Sequence, residues 1–485
     1  MRKKVLIVVG NLSHLDQFVI HGFFKELSES ASVSLAIPES EMRSKRWTEV
    51  AKILDDSIAD VIPYQYSARA KTAGYQLGAA LTYRHRRRSE SYQVRIFESL
   101  FRGFAMPIKK LSWRSLIILF QNRRVFTGRV IHEFPAMVRG TKIFFWLWSK
   151  FVSYKINTGC EISQVLGICK PDATITLMQR QAAFVVASID AAKKMRVPTL
   201  LIPYKWDNAS SKSPLVKTPD RLLVYNSAIK DVCAWLHRMC PDSVVAVGSV
   251  EISKGKVFHL AESCNSIPLV GATIDTKSAS TWLEHVNKII ERESAKIQSG
   301  KIRLIWRPYP TADKKNLDYM QEFIRKHPRI ELDRDIAAAA SHRSTKLLFA
   351  DTVAAYRRYI SLLESALFVV SEGTSVIVDA RARGLAVIYP ALKENAVVGS
   401  QWHRLNTSNH LKGLRETTGV FIAEDEQELE RLLVDFLTNP RSILPDNSGE
   451  NIFVDERSYA QRVLDVVDDV VAEKLAKAGQ TRGQG

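Results

Sequence analysis

Apolar positions along the chain fall into short unbroken runs separated by stretches of helical spacing. KVLIVVG (4–10) reads as a strand buried on both faces, LDQFVIHGFFKELSES (15–30) as an amphipathic helix, and SVSLAIP (32–38) as a second strand. Strand, helix and strand at this spacing predict a parallel α/β sheet, because parallel neighbours need a crossover, and the helix that makes it hides its apolar stripe against the sheet.

The rhythm resumes at PDATITLM (171–178), continues through the helix RQAAFVVASIDAAKKM (180–195), VPTLLIPY, DRLLVYN and the helix SAIKDVCAWLHRM, and ends with SVVAVGS near Ser249. Periodicity fades over 251–267, as in a linker. A second series follows: IPLVGAT, a helix around 279–296, KIRLIWRPYP, the helix KKNLDYMQEFIRKH, IEL, a helix from about 352, ALFVVSEG, a helix at 374–383, LAVIYP and GVFIA. Two doubly wound α/β domains in tandem are expected, with a cleft between them. Their boundaries are 1–250, including a helical insert at 66–155, and 266–450. A helix and tail at 451–485 can pack on either domain.

A length of 485 residues supports this division, since a single core rarely grows so large. With 46% hydrophobic and 25% charged residues the chain reads as globular. Its net charge of +18 is uneven: residues 84–155 hold 16 Lys or Arg against three acids, Glu90, Glu98 and Glu133. Aromatics are interleaved there, from Tyr92 and Phe97 to the FFWLW run, a mixture suited to an anionic membrane surface; a solvated basic face and nucleic acid are the alternatives.

The opening MRKKVLIVVGNLSH reads as a first strand, its apolar run being too short for a signal peptide and lacking a small-residue cleavage site. IFFWLWSKFV (143–152) is interrupted by Lys150 and falls short of the ~20 residues a spanning helix needs. Five dispersed cysteines (Cys160, Cys169, Cys233, Cys240, Cys264) are expected to be free thiols. A cytoplasmic protein, peripheral on the inner face of the membrane, is the expectation.

Candidate chemistry gathers where strands end. In SEGTSVIVDARARG (371–384) the corner Gly373-Thr374-Ser375 follows a strand and opens a helix, so its backbone N–H groups and hydroxyls form either an anion cradle or an ordinary helix start. Asp379, about 1.4 turns on, either accepts from ribose hydroxyls or faces solvent. Arg307 ends a strand before two prolines and can grip phosphate bidentately, or close a surface turn. YKWDNASSKSP (204–214) places Trp206, Asp207, Asn208, Ser210, Ser211 and Lys212 after another strand, as a site or a turn. His14 and Asp16 open the first helix, as candidate general bases or as capping residues. His403 is expected in a loop, within QWHRLNTSNH. Asp333-Arg334-Asp335 has D-x-D spacing without supporting carboxylates, and no P-loop, zinc or nucleophile-elbow pattern occurs. Neither a metal nor a cofactor is expected.

Four pieces in order, WDNASSK, PDRLLVYNSAIKDVCAWLH with VVAVGS, IWRPYP, and SALFVVSEGTSVIVDARARGLAVIYP, resemble the GT-B glycosyltransferases of bacterial surface polysaccharide assembly, including relatives of the CDP-glycerol glycerophosphotransferases. The likeness covers about 198–440. It implies two Rossmann-like domains facing a cleft, donor phosphates at Thr374 and Ser375 with Arg307 nearby, and Asp379 where the family often has Glu. Tyr309 stands where related enzymes often have the His of R-x-H-P. The implied activity is transfer of a sugar from a nucleotide-activated donor, held by the second domain, to a lipid-linked or polysaccharide acceptor held by the first. Two rivals keep the fold: a UDP-N-acetylglucosamine 2-epimerase-like enzyme and a non-catalytic nucleotide-sugar-binding subunit.

Overall fold

Every paired strand in the structure runs parallel to its neighbour, which accounts for the unbroken apolar runs: such strands are covered on both faces by helices. The computed structural model describes residues 2–54, 57–84, 142–178, 183–206, 208–212, 214–251, 266–271, 276–294, 302–308, 314–341, 353–373, 375–393, 400–439 and 457–482. Asp207, Tyr309 and Thr374 lie outside these residues, as does 85–141 of the basic insert. Of Lys212 only the backbone is described.

The first sheet contains β1 (Lys3–Val8), β2 (Ala31–Pro38), β3 (Asp60–Tyr64), β4 (Ala173–Met178), β5 (Thr199–Pro203), β6 (Arg221–Val224) and β7 (Val244–Ala246), in the order β3-β2-β1-β4-β5-β6-β7. Val5 lies opposite Val33 of β2 and Ala173 of β4. The second contains β8 (Ser266–Val270), β9 (Arg303–Arg307), β10 (Ile330–Leu332), β11 (Val369–Ser371), β12 (Val387–Pro390) and β13 (Val420–Ala423), in the order β10-β9-β8-β11-β12-β13. In each sheet the chain winds outward from a central strand and then restarts on that strand's other side. The reversal falls between β1 and β4 in one sheet and between β8 and β11 in the other. The crevice beyond the carboxyl ends of such a strand pair is where doubly wound sheets bind ligands. Two Rossmann-like doubly wound sheets are thus present.

The chain divides into two compact units, 1–250 with 407–410 and 454–485, and 251–406 with 411–453. The C-terminal helix Tyr459–Arg482 belongs to the first unit. It ion-pairs Asp468 with Lys3 and Glu473 with Arg221, and the Arg462 Nε donates to Val247 O at 2.7 Å.

Three local differences from expectation have physical causes. The first helix is split into Asp16–Ile20 and Phe23–Ser30 at Gly22, whose φ of 74° leaves the helical region. β3 was not anticipated: Asp60 and Pro63 break its apolar pattern, which an edge strand tolerates. The helix expected at 374–383 is only Val376–Arg381. The Arg383 Nη1 donates to Asp379 O, the Arg381 Nη1 donates to Leu385 O, and Gly384 turns the chain with φ 70°.

Among the described residues, Cys160, Cys169, Cys233 and Cys240 are free, and burial pushes the Cys160 thiol up to about 12. Among them, too, no helix is long and apolar enough to cross a membrane.

Candidate functional site

At the carboxyl edge of the second sheet, β8 stops at Val270 and β11 at Ser371, and the Glu372 N–H donates across the reversal to Val270 O at 3.0 Å. The Glu372 side chain turns inward, is fully buried, and accepts from Trp282 Nε1 at 3.1 Å. The next residue, Gly373, donates its N–H to Gln401 Oε1 at 3.2 Å, and that oxygen also accepts from the Tyr389 hydroxyl at 3.1 Å. A Cβ on Gly373 would lie 3.1 Å from the Tyr389 ring, so glycine is what allows the ring to stand against the backbone. Burial, reinforced by the charge of Glu372, pushes the Tyr389 hydroxyl well above its ordinary range.

The Gly373 N–H, expected to face an open gap, is therefore engaged by Gln401. Ser375 is half-buried at the start of the helix Val376–Arg381 and makes no side-chain capping bond. Its carbonyl accepts from the Asp379 N–H at 3.1 Å.

Beside this corner, Arg307 ends β9 and is 5% exposed. Its Nη1 donates to Asp333 Oδ2 at 2.6 Å, and its guanidinium lies 4.7 Å from the centroid of the Tyr359 ring. The Tyr359 hydroxyl in turn donates to Asp379 Oδ2 at 2.6 Å. Arg307 and Asp379 are thereby joined through one tyrosine, although 71 residues of sequence separate them. Asp379 faces this network rather than solvent.

The D-x-D carboxylates are engaged by arginines. Asp333 also accepts from the Asp335 and Ile336 N–H groups, capping the helix Arg334–Ser341, and Asp335 Oδ1 accepts from both Nε and Nη2 of Arg358. Among the described residues, no group of three or more His, Cys, Asp or Glu side chains could hold a metal.

The corresponding edge of the first sheet is built differently. Gly10 follows β1, and a Cβ there would come within 2.1 Å of the Phe184 ring. His14 closes a short 3-10 turn, is 5% exposed, and lies 5.3 Å from the Tyr204 ring at the end of β5. Gln17 Nε2 fixes that edge by donating to Tyr204 O at 2.7 Å. Asp16 is buried in an ion pair with Arg46, whose Nε and Nη2 donate to its two oxygens. A carboxylate held by two donors of one guanidinium is fixed in place, which makes it an anchor.

Trp206 is mostly buried, with its ring edge-on to His410 at 5.5 Å. Asn208 opens a single π-helical turn, Asn208–Lys212, and donates to Met178 O at 3.4 Å. His237 braces this turn. The Leu215 N–H donates to its Nδ1, so the ring's own proton sits on Nε2, which donates to Ala209 O at 2.7 Å. His403 lies on the helix Gln401–Thr407 rather than in a loop.

Of the candidates, Arg307, Gly373, Ser375 and Asp379 share the second sheet's edge, while His14, Asp16, Trp206 and Asn208 belong to the first unit. Sequence reasoning missed Glu372, Gln401, Tyr359, Trp282 and Arg46. Only Glu372, directly after an apolar run, carried a local signal.

This fold, two doubly wound parallel sheets in one chain, is of the GT-B kind. It is similar to that of a UDP-GlcNAc 2-epimerase from Neisseria meningitidis bound to UDP-GlcNAc (TM-score 0.50, 11% identity, covering 98% of this chain and 100% of that one). It is likewise similar to a Listeria monocytogenes chain assigned as a UDP-N-acetylglucosamine 2-epimerase (0.50, 11%, 96% and 95%). MurG from Acinetobacter baumannii aligns with a TM-score of 0.42 at 12% identity over 96% and 99%. No family model and no curated protein matches the sequence.

Proposed function

We propose that the chain is a glycosyltransferase that takes a sugar from a nucleotide-activated donor bound at the second sheet's reversal point and passes it to a lipid-linked or polysaccharide acceptor held by the first unit. The observation that carries this reading is the gathering of Arg307, Gly373, Ser375 and Asp379, distant in sequence, around the carboxyl ends of β8, β9 and β11. Thr374 and Ser375 donate to the donor phosphates, and Asp379 holds Tyr359 so that Arg307 keeps its place. Charge leaving with the nucleotide is met by donors already oriented. In the first unit, His14 takes the proton of the acceptor hydroxyl, with Asp16 anchored by Arg46. Trp206, Asp207, Asn208 and Lys212 line the acceptor side, and the basic segment 84–155 brings the protein to an anionic membrane.

Calorimetry with UDP-N-acetylglucosamine and other nucleotide sugars tests the donor site. Thr374→Ala with Ser375→Ala should weaken binding at least about 100-fold, two hydrogen bonds to a charged group being worth about 1.5–3 kcal/mol each. Unchanged affinity refutes the cradle.

The Neisseria neighbour, whose structure holds UDP-GlcNAc, favours a second reading, 2-epimerisation. Inversion at C2 requires that its C–H bond break, so an epimerase working in deuterated water returns product labelled at C2 with no acceptor present. A transferase gives no such label.

A further inference from the structure

The helix Lys142–Thr158 closes the basic segment and packs beside the helix Ala68–Arg84 in the first unit. Val152 and Ile156 face the core and are buried, with Trp148 half-buried against it. The opposite face carries Leu147, Phe151 and Tyr154, which are 59%, 56% and 67% exposed. Their i, i+4, i+7 spacing makes one apolar stripe pointing away from the fold. Lys150 and Lys155 flank it, also exposed, and the Lys155 ammonium lies 4.4 Å from the centroid of the Phe151 ring. Tyr75, 64% exposed, stands on the adjoining helix. Neither helix contains an Asp or a Glu. Among the described residues, Ile168, Trp235 and Leu475 are also exposed but stand singly on separate helices, which is ordinary for a protein surface.

An apolar stripe flanked by Lys150 and Lys155, on a helix that carries no acid, complements one surface in particular, an anionic bilayer. There the rings and the leucine enter the headgroup boundary while the lysine stems lie along them and their ammonium groups reach lipid phosphates. We infer that Leu147, Phe151 and Tyr154 are the membrane-inserting residues of this protein and that Lys150 and Lys155 bind the anionic headgroups beside them. The helix lies in the plane of the surface, its 17 residues being too polar to cross it. This deepens the proposed encounter with a lipid-linked acceptor and rests on that part of the reading, not on the donor site.

Co-sedimentation of the full chain with vesicles of phosphatidylcholine, alone or mixed with phosphatidylglycerol, tests it. The parent should bind the mixed vesicles and not the neutral ones. Lys150→Gln with Lys155→Gln should weaken binding about 30-fold at low salt, at about 1 kcal/mol for each basic residue, and by less at high salt. Leu147→Ser, Phe151→Ser and Tyr154→Ser together should weaken it at least about tenfold. Should the triple variant fold poorly by circular dichroism, Phe151→Ser alone should still lose several-fold. Equal binding to both vesicle types, no binding, or a serine variant that binds like the parent overturns the proposal. So does a parent dimer that Phe151→Ser dissociates, since a second copy would then cover the stripe. Nucleotide binding measured on the same variants reports the donor site separately and should not change.

Discussion

The two sheets reverse their winding at equivalent places, yet they gather different polar groups there. Beyond β1 the space next to Gly10 is filled by the Phe184 ring, the carboxylate of Asp16 is neutralised by Arg46, and an imidazole, His14, sits against Tyr204. Beyond β8 and β11 the corner consists of backbone amides, Ser375 and Gln401, backed by a chain of contacts from Asp333 through Arg307 and Tyr359 to Asp379. The first edge carries an imidazole and a buried ion pair beside aromatic rings. At the second, the Glu372 and Gly373 amides already donate to Val270 O and Gln401 Oε1, and the Arg307 guanidinium to Asp333. One architecture used twice thus carries two different sets of side chains, and a difference in role between them would rest on those side chains rather than on topology.

The sharpest way to break the comparison is to remove one half of each buried network. Arg46→Met strands the Asp16 carboxylate and should cost about 3–5 kcal/mol in urea unfolding, most of it recovered in the double variant with Asp16→Asn. If the single variant unfolds like the parent, Asp16 is not anchored and regains its standing as a candidate base. In the second unit, Tyr359→Phe keeps the ring beside Arg307 but removes the hydroxyl that donates to Asp379. It should cost about 1–3 kcal/mol and weaken nucleotide-sugar affinity several-fold, whereas an effect on stability alone would detach the network from binding.

The two glycines give a finer contrast. Gly10→Ala forces the buried Phe184 ring to move and should cost about 1–3 kcal/mol, while Gly373→Ala needs only a few tenths of an ångström from Tyr389 and should cost less than about 1 kcal/mol. The reverse order of thermal stabilities would mean that the second corner is the tighter one.

A further effect is pH-dependent, confined to the first unit, and vanishes in acid. Burial alone would raise the Asp220 carboxyl, but the Thr199 hydroxyl and N–H, together with Lys474 and Lys193, hold it below its ordinary range. Its contribution is therefore complete above the unfolded value of roughly 3.9 and disappears as pH falls through the lower folded value. Asp220→Asn should cost about 1–2 kcal/mol near neutral pH and nothing in strong acid, as followed by denaturant unfolding. A constant difference across that range would assign the loss to packing.

Strands dominated by buried apolar residues, β1, β4, β5, β8, β9 and β12 among them, were legible in the sequence because burial on both faces leaves few polar positions to confuse the pattern. β3 was not, since its place at the sheet edge permits the Asp and Pro that disguise it. The site was legible to the same depth. Arg307, Gly373 and His14 follow strands, so their location at a sheet edge could be read from local order. The side-chain contacts could not: Arg46 meets Asp16, Tyr359 meets Asp379, Trp282 meets Glu372 and Gln401 meets Gly373 from 20 to 90 positions away, and nothing in local spacing records which side chains meet. For that reason Asp379 read as a solvent-facing acid or a ribose acceptor, whereas it is buried beneath Tyr359.

Hydrogen exchange of the full chain with and without UDP-N-acetylglucosamine tests the division of labour between the two edges most directly. Slowed exchange in peptides spanning 303–308 and 369–382, with none at 8–20, is the predicted result. Slowing at 8–20 with none at 369–382 would contradict it.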